Sequence, residues 1–139
     1  MRVLIDTNVV LDFLQEREPF VEDAAQLFAK IDAGELEGFI SALTITNIYY
    51  IIRKASGKIA AQDAIAQILT DLQICAVDKG ILEQAIALNF QDFEDAVQCA
   101  CGIANQVDAI ITRDLSGFVN AGILVIAPGE LENLPPCSV

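Results

Sequence analysis

Val3, Leu4 and Ile5 form an unbroken aliphatic run that ends abruptly in Asp6, Thr7 and Asn8. Consecutive apolar, β-branched positions suit a strand covered on both faces, the kind found inside a parallel sheet. The end of such a strand is a defined place in a fold. In open α/β sheets ligands bind beyond the carboxyl ends of the strands, where neighbouring loops diverge. Asp6 stands at that point and is the first candidate site residue.

The remaining chain alternates helical and strand-like segments. Pro19 predicts the first turn of a helix with Ala24, Leu27, Phe28 and Ile31 as its apolar stripe and Gly34 as its stop. "EGFIS" predicts a second strand. "ALTITNIYYIIRK" is rich in β-branched residues, but Thr44, Ile48, Tyr49 and Ile52 recur at helical spacing, so a helix capped by Ser41 is expected. "AAQDAIAQILTDL" predicts a helix with Ile65, Ile68, Leu69 and Leu72 on one side. "ICAV" reads as a third strand, Asp78 as the cap of a helix running to Leu88, and "DFEDAVQCACGIANQ" as a further helix. "AIIT" and "ILVIA" supply the fourth and fifth strands. This alternation predicts an α/β fold, a three-layer α/β/α sandwich around a central parallel sheet. No polar or Pro/Gly-rich break appears before "ENLPPCSV", so residues 1–139 are expected to form one domain.

Although 54% of the residues are hydrophobic, charges interrupt every apolar run short of the roughly 20 residues of a membrane span. Asp6 also falls too early for the apolar part of a secretory signal, so a cytoplasmic protein without membrane attachment is expected. Cys75, Cys99, Cys101 and Cys137 fit no paired C-x-x-C spacing, and the chain has no histidine. Buried thiols in a reducing compartment are expected rather than a zinc site or disulfides. The net charge of −12 argues against non-specific adhesion to nucleic acid. It leaves a carboxylate cluster around a divalent cation, or a surface for a basic partner.

Three acidic positions fall at comparable places. Asp6 ends the first strand, Asp114 follows the fourth in "AIITRD", and Asp92 and Asp95 open the helix in "DFEDAVQ" at i, i+3 spacing. Singly, each has a bland reading: Asp92 as an N-cap, Asp114 as the start of a turn, Asp6 as a cap for whatever follows Thr7. Jointly, they point to function, since adjacency of strands one and four would bring Asp6 and Asp114 to one end of the sheet. Carboxylates so gathered raise one another's pKa unless a cation lies between them. Mg²⁺ or Mn²⁺ suits oxygen ligands of this type, and the chemistry is that of metal-dependent nucleases. Without histidine, the usual general base is missing.

The segments "VLIDTNVVLDFL", "ISALTITNIYYIIRK", "DFEDAVQCACG" and "AIITRDLSGF", followed by "VIAPGEL", resemble in order and spacing a PIN domain of the kind found in bacterial VapC-type toxins. The resemblance spans essentially the whole chain. It implies an endoribonuclease that uses Mg²⁺ or Mn²⁺ in an acidic pocket to hydrolyse RNA, leaving 5′-phosphate and 3′-hydroxyl ends. It implies a homodimer and neutralisation by a small protein antitoxin. Carried over by motif, the catalytic and metal-binding acids are Asp6, Asp95 and Asp114, with Thr7, Asn8, Asp92 and Thr112 in support. The family pattern has a glutamate where this chain has Asn47, and an aspartate where it has Gly117. The Asn47 amide oxygen can still ligate a hard cation but brings no charge. Weaker metal binding, and one ion rather than two, is therefore expected. Asp12 is expected to face solvent.

Arg53, Lys54 and Lys58 are the one concentration of positive charge. They are candidates for contacting RNA phosphates, or simply a solvated helix end. Arg113, beside Asp114, is the better single candidate for a phosphate, and Tyr49 or Tyr50 for stacking on a base. Two phosphoryl-transfer classes fit poorly. Phosphatases of the haloacid-dehalogenase type need an aspartate where Asn8 stands, and receiver domains need a lysine that "VIAPGE" lacks. "SGKIA" is no P-loop. The remaining alternative is a degenerate PIN domain that keeps the fold and serves as a binding module.

Overall fold

The computed structural model describes residues 1–134. Cys137 and the end of the predicted single domain lie outside the described residues. Strands β1 (Arg2–Ile5), β2 (Glu37–Ser41), β3 (Gln73–Cys75), β4 (Ala109–Ile111) and β5 (Leu124–Ile126) pair in parallel in the order β3-β2-β1-β4-β5. Six α-helices connect them: α1 (Thr7–Leu14), α2 (Val21–Asp32), α3 (Ala42–Ser56), α4 (Lys58–Asp71), α5 (Lys79–Leu88) and α6 (Phe93–Ala104). Short 3-10 turns cover Leu115–Phe118 and Pro128–Asn133.

The strand period divides the core in two. Val3, Ile5, Ile40 and Ile111 face α1 to α4, where they meet Leu11, Leu27, Ile48 and Ile68. Leu4, Phe39 and Ile110 face α5 and α6, where Ile81, Ala96, Cys99 and Ala100 cover them. This is the expected three-layer sandwich with β1 at its centre. The two layers differ in grain. Residues Ala96 to Gly102 of α6 are all buried, and apart from Val97 and Gln98 they are alanine, cysteine or glycine, which lets the helix lie close on the sheet. A Cβ on Gly102 would already meet Val107 Cγ2 at 3.0 Å.

Burial also settles the cysteines. Cys75, Cys99 and Cys101 are buried free thiols. Burial pushes Cys75 up to about 12 and Cys99 up to about 11, and raises Cys101 as well, so these three are held as thiols at neutral pH.

Local caps form where the sequence places them. Ser41 accepts the Leu43 N–H, Asp78 the Ile81 N–H and Asp92 the Asp95 N–H. Three features depart from the sequence reading. Helix α1 has no counterpart in the sequence reading, which leaves the segment after Thr7 unassigned; it forms since Val9, Val10 and Leu11 all find cover in the core. Helix α2 begins at Val21, two residues after Pro19. Leu69 does not share the buried face of α4 but is 55% exposed, with Ala61 taking its place beside Ile68. Among the described residues no helix is long and apolar enough to cross a membrane.

Candidate active site

The register of the sheet builds the site. Ile5 lies opposite Ile111, so the next residues, Asp6 and Thr112, emerge side by side at the carboxyl end. The Asp6 N–H donates to the Ile111 carbonyl at 3.0 Å, and the Thr112 hydroxyl donates back to Asp6 Oδ2 at 2.7 Å. From α6, Gln98 Nε2 donates to Asp6 Oδ1 at 3.0 Å. Asp6 is only 5% exposed and occupies the N-cap position of α1, yet its side chain makes no capping bond. Its carboxylate is instead held from two sides, with lone pairs left for a third partner.

Thr112 links a second acid to the first. Its hydroxyl also accepts the Asp114 N–H at 3.0 Å, placing Asp114 at the start of the Leu115–Phe118 turn. There Asp114 Oδ1 accepts from Ser116 Oγ at 2.7 Å. Asp95 arrives from the first turn of α6, where Asp92 caps the helix, so the bland reading of Asp92 holds beside its place in the pocket. Gly117 shows how closely the acids approach. A Cβ at that position would lie 2.7 Å from Asp95 Oδ2 and 3.0 Å from Asp114 Oδ2. An aspartate at 117 would therefore collide with the two carboxylates as they stand.

Asp6, Thr7, Asn8, Asn47, Asp92, Asp95 and Asp114 line one open cleft of about 510 Å³, together with Tyr50 and Glu94. Glu94 and Gln98 escape the sequence reading. Glu94 Oε1 accepts from the Thr7 hydroxyl at 3.0 Å and brings to the cleft a charge that Asn47 does not. The signal was available: Glu94 lies inside the quoted "DFED", and Gln98 follows Glu94 and Asp95 by four and three residues, on the same helical face. Tyr49 and Tyr50 divide as their positions on α3 require: Tyr49 packs against the core, and Tyr50 is 60% exposed at the cleft.

Electrostatics mark the cleft as short of positive charge. Burial, then the charges of Asp6, Asp92, Asp114 and Glu94, push the Asp95 carboxyl up to about 7. An all-oxygen donor set under this repulsion suits a hard divalent cation, held by Asp6, Asp95 and Asp114 with Asn47 and Glu94 alongside. Among the described residues no three acidic side chains are already gathered at ligand spacing, so the acids would close on an ion by rotamer change.

Arg113 corrects the sequence reading. It does not face the acids; its Nε and Nη2 donate to Asp12 at 2.6 and 3.3 Å, and its guanidinium stacks 3.9 Å over the Phe20 ring. Asp12, expected in solvent, is 1% exposed and also lies 3.9 Å from Arg17. A pair of this geometry is bidentate, which commits Arg113 to tying α1 to the segment that carries Asp114. Arg53 and Lys54 lie in the last turn of α3, outside the cleft, two turns or about 10 Å along the helix from Asn47.

The model of the PIN domain family matches residues 2–116, and the chain belongs to that family. It is similar to Ribonuclease VapC1 of Aquifex aeolicus, with 29% identity over 134 residues, 93% of this chain and 92% of that protein. Solved structures share the fold at lower identity. DNA-bound VapBC of Salmonella typhimurium superposes with a TM-score of 0.71 at 13% identity, over 92% of this chain and 98% of that one. VapC20 of Mycobacterium tuberculosis, a toxin that cleaves the sarcin-ricin loop, does so at 0.70 and 17%, over 88% and 96%.

Two outcomes follow. Asp12→Asn removes the partner of a partly exposed Arg113 and should cost about 2–3 kcal/mol, read as a lower urea midpoint; an unchanged midpoint would mean the pair adds nothing to stability. Asp95 holds its proton to a higher pH in the folded state than in the unfolded chain. The Asp95 contribution to stability should therefore fall between about pH 4 and pH 7 and stay at the lower level above it. Asp95→Asn should raise the pH 8 melting temperature by a few degrees and change little at pH 4; equal gains at both would show that repulsion is not the cause.

Proposed function

We infer that this chain is a metal-dependent endoribonuclease and the toxin of a toxin–antitoxin pair. The observation that carries the reading is the arrival of Asp6, Asp95 and Asp114 from three separate elements in one cleft, without a cation among the residues that line it. Family membership and the likeness to a ribonuclease support RNA as the substrate. A toxin–antitoxin complex from Klebsiella pneumoniae shares the fold, in keeping with a small protein antitoxin as partner. The same family reading includes a homodimer, one domain over residues 1–139 and a cytoplasmic location.

In this mechanism the protein contributes positioning and charge. Asp6, fixed by Thr112 and Gln98, would provide the rigid ligand, and Asp114 and Asp95 would be the further acids holding the ion. Asn47 lends a neutral oxygen and Glu94 the negative charge. Mg²⁺ or Mn²⁺ bound there supplies neutralisation of the phosphodiester and a water of lowered pKa. Glu94 also weakens the alternative of a binding module, whose main support is the neutral Asn47.

Cleavage of a mixed-sequence fluorogenic RNA in Mn²⁺ tests the reading. Wild type should cut, while Asp6→Asn and Asp114→Asn should each lose about 100-fold or more with the fold intact. Retained cleavage in either variant would remove that acid from the site, and an inactive wild type would favour the binding module. Mn²⁺ titration by calorimetry separates the side ligands: Glu94→Gln should weaken binding about 10-fold and Asn47→Glu should tighten it. Unchanged affinity in either would place that residue outside the metal's reach.

A further inference from the structure

A second cleft of about 500 Å³ adjoins the first, and Asp92, Asp95 and Asp114 line both. The acids thus stand at the waist of a continuous groove rather than at the bottom of a pit. The far side is lined by different chemistry. Asn89, Gln91 and Asn120 present neutral amides there, and Phe90 presents a ring held edge-on against buried Phe118 at 6.2 Å. On the near side Tyr50 and Asn8 stand in similar relation to the acids.

Equally informative is where the cations are. Of the eight lysines and arginines, Arg17 and Arg113 are engaged with Asp12, Lys30 with Glu35, Lys79 with Glu83, and Arg2 lies over Phe39. Arg53, Lys54 and Lys58 sit around the α3–α4 junction. Among the described residues neither cleft is lined by a lysine or arginine. A polyanion crossing this groove gains almost nothing from side-chain charge, the term that dominates ordinary nucleic-acid binding. What remains is what amides and ring faces offer, namely hydrogen bonds to base edges and stacking.

The geometry points to a base-reading subsite in the second cleft. Asn120 and Gln91 address the edge of one nucleobase beside the scissile linkage, Phe90 supports it, and a single-stranded RNA segment is the substrate class. This rests on the ribonuclease reading above and adds a source of sequence preference to it. Amide side chains carry both donor and acceptor and so distinguish bases, whereas a lysine on a phosphate does not.

The test uses the full chain and fluorescein-labelled RNA tetranucleotides covering all central dinucleotides, with Ca²⁺ present to suppress turnover and anisotropy as readout. The expected result is a spread in Kd of tenfold or more across the set. Raising KCl from 50 to 200 mM should weaken binding by less than about threefold, the share of one phosphate. Asn120→Ala and Gln91→Ala, both at exposed positions, should shrink the spread on one side of the central linkage to under threefold. Gln67→Ala, on α4 outside both clefts, should leave it. Uniform Kd values, a salt loss beyond tenfold, an unchanged spread in both cleft variants, or binding of a basic peptide but no tetranucleotide would each overturn the inference. The ribonuclease reading is judged separately by Mn²⁺-dependent hydrolysis of bis(p-nitrophenyl) phosphate, which carries no base. Hydrolysis lost in Asp6→Asn, together with uniform tetranucleotide binding, would leave a nuclease without the subsite.

Discussion

The pairing of β1 with β4 is the constraint on which the site depends. Once Ile5 is set opposite Ile111, Asp6 and Thr112 must leave the sheet together, and the Thr112 hydroxyl can serve both Asp6 and the backbone of Asp114. A shift by one residue would turn Asp6 to the opposite face and break this link. The register is in turn fixed by burial on both sides: Val3 and Ile5 need one helical layer, Leu4 the other. Hydrophobic alternation on the central strand thereby sets the position of a carboxylate.

The acids then impose a cost that the rest of the fold accommodates. Asp95 is pushed up to about 7 because it is partly buried among like charges, and Asp6 is held by donors from two different elements. The repulsion around Asp95 opposes stability, and a cation bound among these acids would relieve it. The pair of buried Asp12 with partly exposed Arg113 holds α1, which follows Asp6 directly, against the strand that precedes Asp114. The chain spends one of its few cations on the geometry of the site rather than on its substrate.

Much of the fold is legible in the sequence because its signals are local. Strand ends, helix stripes and caps depend on residues a few positions apart; the caps Ser41, Asp78 and Asp92 form where they are expected, while Leu69 leaves its predicted stripe. Asp6, Asp95 and Asp114 are legible as candidates because each sits at the end or start of an element, and the three do line one cleft. The failures concern partners far apart in the chain. Asp12 and Arg113 are 101 residues apart, and nothing local in either distinguishes a buried pair from two solvated charges. Helix α1 is missed because Val9 and Val10 carry a strand-like preference that tertiary cover overrides. Gly117 departs from the family pattern, and only the three-dimensional arrangement shows what surrounds it: the carboxylates of Asp95 and Asp114 stand where a side chain at 117 would begin.

The buried thiols give the molecule a property unconnected with RNA. Cys75 lies on β3, and Cys99 and Cys101 lie on α6 against the sheet, so a thiol-directed reagent reaches them only when helix and sheet separate. In the folded state they are both shielded and held as unreactive thiols; in an opened molecule they return to ordinary solution chemistry. The rate of their labelling is therefore a clock for the opening of this layer, with no introduced probe needed. The same feature gives the opened chain a hazard the folded one lacks: thiols without a partnering geometry, free to join to those of other molecules before the layer closes again.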